Sequence, residues 1–315
     1  MAPILIHIGY HKTGTKWLRG GLFLNKAAGY SWIDKDTAPV RGLIREHPLE
    51  FDAEAARRDF EPLLAEAETK RLMPVICWGR LAGQAFSGGY DTKEIADRLR
   101  AVFSDGRILV VVREQRSMIV STYKQYVKAG GPCTVEDFLQ PGADQGWRIP
   151  LFDFEYFEYH RLLGYYRSLF GADNVLALPY DELVRDRRGF LARIGEFAGR
   201  PVPEEVLGEM SDAKRRNPAQ SALVLGATRV LNRFGPRNEL NPAPLVESSV
   251  VHGAATRMRK KLDPANLRAT RGLAERSERS LKQAVAVAVG DRYVESNRIT
   301  AELLGADLES LGWMV

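Results

Sequence analysis

Short apolar runs alternate with stretches of helical spacing along most of the chain. Ile4–Ile8, Pro74–Cys77, Ile108–Val112 and Val175–Leu178 are almost wholly aliphatic, with little polar alternation. Runs of that kind mark strands covered on both faces. Between and after them, apolar residues recur at three- and four-residue intervals over Thr15–Asn25, Ala53–Thr69, Thr92–Val102, Gln115–Lys128, Phe152–Leu169 and Asp181–Ala198. That period belongs to helices with one covered face. Ala53–Thr69 carries its acidic residues and arginines on one side, which predicts a solvated face. Strand, helix, strand in repetition predicts an α/β fold with a central, mostly parallel sheet and helices on both faces.

The end of the chain differs. The segment 234–255 holds three prolines, and helical spacing returns from about Pro264 to Leu304. The expected organisation is an α/β core over residues 1–233, then a linker and a helical C-terminal extension packed on the core over residues 234–315. The extension is expected to serve packing or dimerisation, which leaves a homodimer open. Three connections stand out as loops: 26–52, with Trp32, Asp34, His47 and Asp52; 129–151, rich in glycine and proline; and the basic stretch 211–218.

Composition narrows the class. A chain of 315 residues with net charge +5 suits an anionic ligand. It shows no basic stripe with interleaved aromatics, so nucleic acid is not an expected partner. Two cysteines, Cys77 and Cys133, suggest no disulfide framework. Cys77 lies in an apolar run and reads as a small buried hydrophobe. No apolar stretch is long enough for a membrane span, and the first strand begins almost at the N-terminus. The expectation is a cytoplasmic protein without stable membrane insertion. No histidine, cysteine or carboxylate cluster has metal-ligand spacing, so no metal is expected. No nucleophile elbow is present either.

The chemistry concentrates after the first strand, in Gly9-Tyr10-His11-Lys12-Thr13-Gly14-Thr15-Lys16-Trp17. A strand, a glycine loop and a helix form a phosphate cradle, where backbone N–H groups and a helix N-terminus converge on an anion. A tight βα turn with no ligand is the plainer alternative. The arrangement predicts a P-loop-like three-layer fold. A nucleotide-triphosphate loop, however, places lysine and then a hydroxyl after the second glycine. Here Thr15-Lys16 reverses that order, and Lys12 precedes Gly14. Downstream, the strand ending at Val112 leads into Arg113, and Ser121 follows on a helical stretch. An arginine fork and a hydroxyl near a helix start suit one phosphate. A nucleotide triphosphatase more often has an aspartate near such a strand end, for magnesium. Here the first acid, Glu114, comes after the arginine.

The order K-[TS]-G-T-x-W resembles the 5′-phosphosulfate loop of the sulfotransferase family, and VVREQRSMIVSTYKQY resembles that family's 3′-phosphate motif. The final SNRITAELLGADLESLGW resembles the tail of bacterial sulfotransferases. The resemblance implies transfer of a sulfuryl group from 3′-phosphoadenosine 5′-phosphosulfate (PAPS) to a hydroxyl or amine of a carbohydrate or small-molecule acceptor. It assigns Lys12 to the bridging oxygen of the leaving group, and Thr13, Gly14, Thr15 and Lys16 to the cofactor, the last three around its 5′-phosphate. Where Lys16 stands, the family often has a second threonine. Trp17 matches a tryptophan against the adenine, although a core tryptophan fits the same spacing. Arg113 and Ser121 match the 3′-phosphate ligands. Tyr180-Asp181-Glu182-Leu183 resembles an element whose tyrosine reaches the adenine; helix N-capping explains it equally. Lys214-Arg215-Arg216 sits where relatives return a basic loop to the 3′-phosphate, or is a solvated loop.

The acceptor side departs from the pattern. Bacterial relatives read roughly I-S-[HN]-E-R-L-S-G after the second aliphatic strand, whereas this chain has Ile76-Cys77-Trp78-Gly79-Arg80-Leu81-Ala82-Gly83. The polar pair has become Trp78-Gly79. Three outcomes stay open: a base from elsewhere, with His11 and His47 as candidates; an acceptor that needs no base; or a nucleotide-binding homologue that has lost catalysis. A P-loop nucleotide phosphotransferase is the remaining alternative. His160, in an aromatic helix, reads as structural. Tyr123, Tyr126, Trp147, Phe152 and Phe154 would suit an acceptor ring and would equally fill a core.

Overall fold

The computed structural model describes residues 3–140, 149–212, 222–247, 253 and 271–315. Five parallel strands form one sheet: β1 (Leu5–His7), β2 (Tyr30–Ile33), β3 (Met73–Cys77), β4 (Arg107–Val112) and β5 (Val175–Pro179). Their order is β2-β3-β1-β4-β5. The four aliphatic runs are its four inner or long members, as their spacing predicts. The fifth strand, β2, lies inside the stretch expected to be a loop. It is short, contains Ser31, pairs with β3 at the edge of the sheet and is covered at just its two ends, so it lacks the apolar signal of the others. The helix Ala38–Arg45 lies in the same stretch, with proline in its first turn.

The contacts divide the chain into two units, and their limits differ from the linear boundary expected at residue 233. The first unit comprises Met1–Glu114, Phe154–Lys214 and Tyr293–Val315 and holds the whole sheet. The final helix, Val294–Leu304, belongs here because it packs on helix Tyr159–Phe170. Trp313 is buried beside Tyr159 and donates its indole N–H to Asp181 Oδ2 at 2.9 Å. The second unit comprises Gln115–Asp153 and Arg215–Arg292. In it, helix Gln115–Lys128 packs on Ala222–Asn232 and Arg271–Val289. Lys124 pairs with Glu278 at 2.7 Å, and buried Asn232 donates to the Val127 and Gly131 carbonyls. Phe138 packs its ring at a tilt against Tyr123, Tyr126 and Phe152, so these aromatics are core. Phe138 sits on Val135–Leu139, a short helix inside the expected 129–151 loop, headed by a Thr134–Asp137 capping box. Trp147 lies outside the described residues.

Three expected helices end or break where local chemistry intervenes. The stretch from Thr15 is α-helical only to Leu18 and continues as a π-helical turn over Arg19–Phe23. Gly20 and Gly21 favour helix weakly, and the bare Gly21 backbone admits the Met210 side chain. Asp181–Ala198 divides into Tyr180–Arg185 and Arg187–Phe197. Asp186 between them leaves the helical conformation, and its carboxylate accepts the Gly189 N–H, an N-cap. The stretch expected from Phe152 becomes helical only at Tyr159, after a 3₁₀ turn at Glu155–Phe157.

Candidate functional site

The site follows from the topology. From β1 the chain moves toward β2 and β3; from β4 it moves toward β5. Adjacent β1 and β4 therefore flank the point where the winding reverses, and the crevice beyond their carboxyl ends is where open α/β sheets bind ligands. The two strands stay paired to that end, with the Ile8 N–H donating to Leu109 O at 3.1 Å. The loop after β1 and the residue after β4 thus start side by side.

The loop is wound by three left-handed residues: Gly9 (φ 40°), Lys12 (φ 70°) and Gly14 (φ 88°). That conformation is strained for lysine, and the surrounding loop holds it. Tyr10 is buried between the rings of Tyr156 and Tyr159, with centroids at 5.1 and 4.9 Å. Its hydroxyl donates to Tyr156 O. Thr13 is fully buried, and its hydroxyl donates to Tyr10 O at 2.6 Å. Its side chain therefore closes the loop, and what Thr13 can offer a ligand is backbone. Gly14 heads the helix, its carbonyl accepting from the Trp17 and Leu18 N–H groups. A Cβ at Gly14 would stand 2.9 Å from Leu183 Cδ2 and 3.8 Å from the Tyr180 ring. Lys12 and Lys16 are exposed, whereas Trp17 is half-buried and packs against the core.

Arg113 closes on this loop. Its Nη1 donates to Lys12 O at 3.5 Å, and its guanidinium lies 5.0 Å from the centre of the Tyr180 ring. The Tyr159 hydroxyl holds the Arg113 carbonyl at 2.6 Å. Lys12, Gly14, Arg113 and Tyr180 are thus brought together within the first unit. Ser121 belongs to the second unit, in the second turn of helix Gln115–Lys128. Lys214-Arg215-Arg216 lies outside the described residues.

The acceptor-side departure has a structural counterpart. Gly79 lies two residues beyond the end of β3 and is buried against the loop: a Cβ there would be 3.5 Å from Tyr10 O and 3.6 Å from His11 N. His11 therefore occupies the neighbourhood of the altered segment. Arg80, ion-paired with Asp91, adds positive charge nearby. Burial first, then Arg80 and Lys12, pull the His11 pKa down to about 4, so its ring is a neutral acceptor near pH 7. His47 is exposed, and its Nδ1 accepts the Leu49 N–H within its own turn. No hydrogen bond or ion pair brings it to the loop among the described residues. His160 binds Ser296 Oγ at 2.8 Å, joining two helices of the first unit.

Two contributors were not legible as site residues. His7, the last residue of β1, has its ring beneath the loop, against Gly9 and Thr15. Its signal was a lone imidazole at the end of an aliphatic strand, next to a glycine. Tyr159, which clamps both Tyr10 and Arg113, is one of several aromatics in its helix and gives no signal of its own. Among the described residues, no group of histidine, cysteine or acidic side chains is arranged to hold a metal. No helix there is long and apolar enough to cross a membrane.

A parallel sheet with a glycine loop after its central strand, and an arginine after the neighbouring strand, defines a class of α/β protein with its site at the switch point. The sulfotransferase family model matches residues 24–204, more than half of the chain, and the chain belongs to that family. Mouse sulfotransferase 2B1 is 33% identical over 121 residues, which is 35% of this chain and 32% of the mouse protein. The rat protein of the same name is 32% identical over 120 residues. The chain thus spans about a third of the length of these curated relatives. Among solved structures, a sulfotransferase from Alicyclobacillus acidocaldarius aligns with 80% of this chain and 99% of its own, at 16% identity and a TM-score of 0.46. Mouse sulfotransferase SULT7A1, complexed with PAP, aligns with 79% of this chain and 73% of its own, at 15% identity and a TM-score of 0.37.

Proposed function

We propose that this protein transfers a sulfuryl group from PAPS to a hydroxyl, or amine, of a carbohydrate or small-molecule acceptor. Family membership supports this reading. The observation that carries it is the convergence of the Lys12–Gly14 loop with Arg113 and Tyr180 beyond β1 and β4. The residues suit such a donor: left-handed glycines expose backbone, Lys12 and Lys16 offer cations, and Arg113 offers a planar fork.

The bond between sulfur and the bridging oxygen breaks while one forms to the acceptor oxygen, so negative charge grows on the departing phosphate. Lys12 and the backbone around Gly14 and Thr15 stabilise that charge. Arg113 holds the 3′-phosphate and so sets the donor in line; the family resemblance gives Ser121 a part in the same task. Tyr180 and Trp17 flank the adenine. Neutral His11 accepts the acceptor's proton, replacing the polar pair lost at Trp78-Gly79. His47 is the second candidate for that role.

Trp78-Gly79 also favours one further reading, a homologue that binds the nucleotide without turnover. Calorimetry and turnover assays separate the two. Removal of the 3′-phosphate forfeits charged hydrogen bonds, each worth about 1.5–3 kcal/mol. 3′-Phosphoadenosine 5′-phosphate (PAP) should therefore bind about ten- to a hundred-fold more tightly than AMP. Equal or absent binding defeats the role given to Arg113. Lys12→Ala should abolish sulfuryl transfer, and undiminished turnover in that variant refutes the mechanism.

A further inference from the structure

His7 is fully buried, with its Nδ1 3.2 Å from Leu109 O and its Nε2 3.4 Å from Thr15 Oγ1. A carbonyl only accepts, so Nδ1 carries a hydrogen. In the neutral ring Nε2 then carries none and takes the single hydrogen of the Thr15 hydroxyl. The ring occupies the hollow left by Gly9, where a Cβ would stand 3.0 Å from both Cε1 and Nε2. It is thereby fixed between β4 and the phosphate loop.

Among the described residues, three elements bring groups against it. Leu109 faces it from β4, and Phe23 from the following turn at a centroid distance of 6.4 Å. From β3 comes its register partner Cys77, whose Sγ lies 3.8 Å from Thr15 O. Burial keeps that thiol protonated, although Arg19 opposes the shift. The loop's own cations are Lys12 and Lys16.

We propose that His7 is a positioning residue that takes up one proton when phosphate binds the loop, and so frees the Thr15 hydroxyl to donate to the phosphate. This rests on the phosphate-loop reading above. A phosphate oxygen is an acceptor and competes with Nε2 for the one Thr15 hydrogen. With a proton from solvent on Nε2, the imidazolium donates to Leu109 O and to Thr15 Oγ1 together, and the threonine hydrogen turns to the phosphate. Negative charge at the loop favours the charged ring. Without it, burial holds the ring neutral, with its pKa pulled to about 4.

The test is calorimetry of PAP binding in buffers of different ionisation enthalpy, on wild type and His7→Gln, between pH 6.5 and 8.5. Glutamine keeps a hydrogen-bonding group near Thr15 but does not titrate. Wild type should take up about one more proton per PAP than the variant, and its affinity relative to the variant should fall by up to about tenfold per pH unit. Equal proton counts overturn the inference and leave nucleotide binding intact. Failure of wild type to bind PAP overturns both. Imidazole nitrogen NMR on wild type gives the same answer if His7→Gln does not fold: one protonated ring nitrogen without PAP, two with it. A ring still neutral in the PAP complex refutes the proposal.

Discussion

Acidification of the ligand-free protein should expose the cost of keeping His7 uncharged. Its pKa is drawn from the ordinary 6.5 to about 4, by burial against a smaller opposing effect of the Leu109 carbonyl. An unfolded chain regains the ordinary value. Between those two values the unfolded state binds more protons, so stability rises with pH through the window and is lost as pH falls. From about pH 8 to about pH 5 the loss assigned to His7 is about 2 kcal/mol. For a unit of about 200 residues that corresponds to a fall of about 4–8 °C in Tm. His11 adds to the same slope, by less, because its ring is partly open to solvent. Thermal unfolding of wild type and His7→Gln across this range separates the contribution. Whatever the Tm at which the variant starts, its curve should be shallower by the His7 share. Parallel curves for the two proteins refute the neutral, buried imidazole.

Two further outcomes follow from the loop. Gly14→Ala puts a side chain at φ 88° and a Cβ 2.9 Å from Leu183 Cδ2; the backbone strain alone is about 1–2 kcal/mol. The variant should unfold at lower temperature and bind PAP more weakly, and a wild-type Tm and affinity would refute the tight packing at this turn. His11→Gln should lower kcat by about 10²–10⁴ while leaving PAP affinity near wild type. In wild type, protonation of His11 removes the base, so the rate should fall in acid with a limb approaching pH 4 in kcat/KM; undiminished kcat in the variant refutes His11 as base.

Much of the fold was readable because its strongest signals are local. β3, β4 and β5 are buried on both faces and carry near-continuous aliphatic runs, and helices Ala53–Thr69, Thr92–Val102 and Gln115–Lys128 lie where their periodicity puts them. What escaped is what depends on a neighbour. β2 is a strand because β3 offers it an edge, not because Tyr30-Ser31-Trp32-Ile33 alternates strongly. The break at Asp186 depends on which acceptor caps the Gly189 N–H, a choice that helical spacing alone does not decide. The grouping of Val294–Leu304 with the sheet rather than with the preceding helix is settled by packing on Tyr159–Phe170.

The same distinction governs the site. Lys12 and Arg113 stand about a hundred residues apart in the chain, yet each follows a strand, and the order β3-β1-β4 makes those strands neighbours. Their meeting is therefore a consequence of topology plus two motifs, both visible in the sequence. Thr13 was visible by the same motif, but the burial that turns its hydroxyl onto Tyr10 is a three-dimensional fact. The acceptor side shows the reverse. Trp78-Gly79 looked like a loss, since glycine brings no functional group. In the fold, Gly79 lies against Tyr10 and His11, where an added Cβ would make ordinary van der Waals contact with both. A carboxylate at that position would share this space with the His11 backbone and place its charge beside the ring. An imidazole held neutral by burial first, then by Arg80 and Lys12, would gain a counter-charge and a higher pKa. Glycine at 79 therefore brings no carboxylate to the His11 ring, and Gly79→Glu should raise the His11 pKa above about 4.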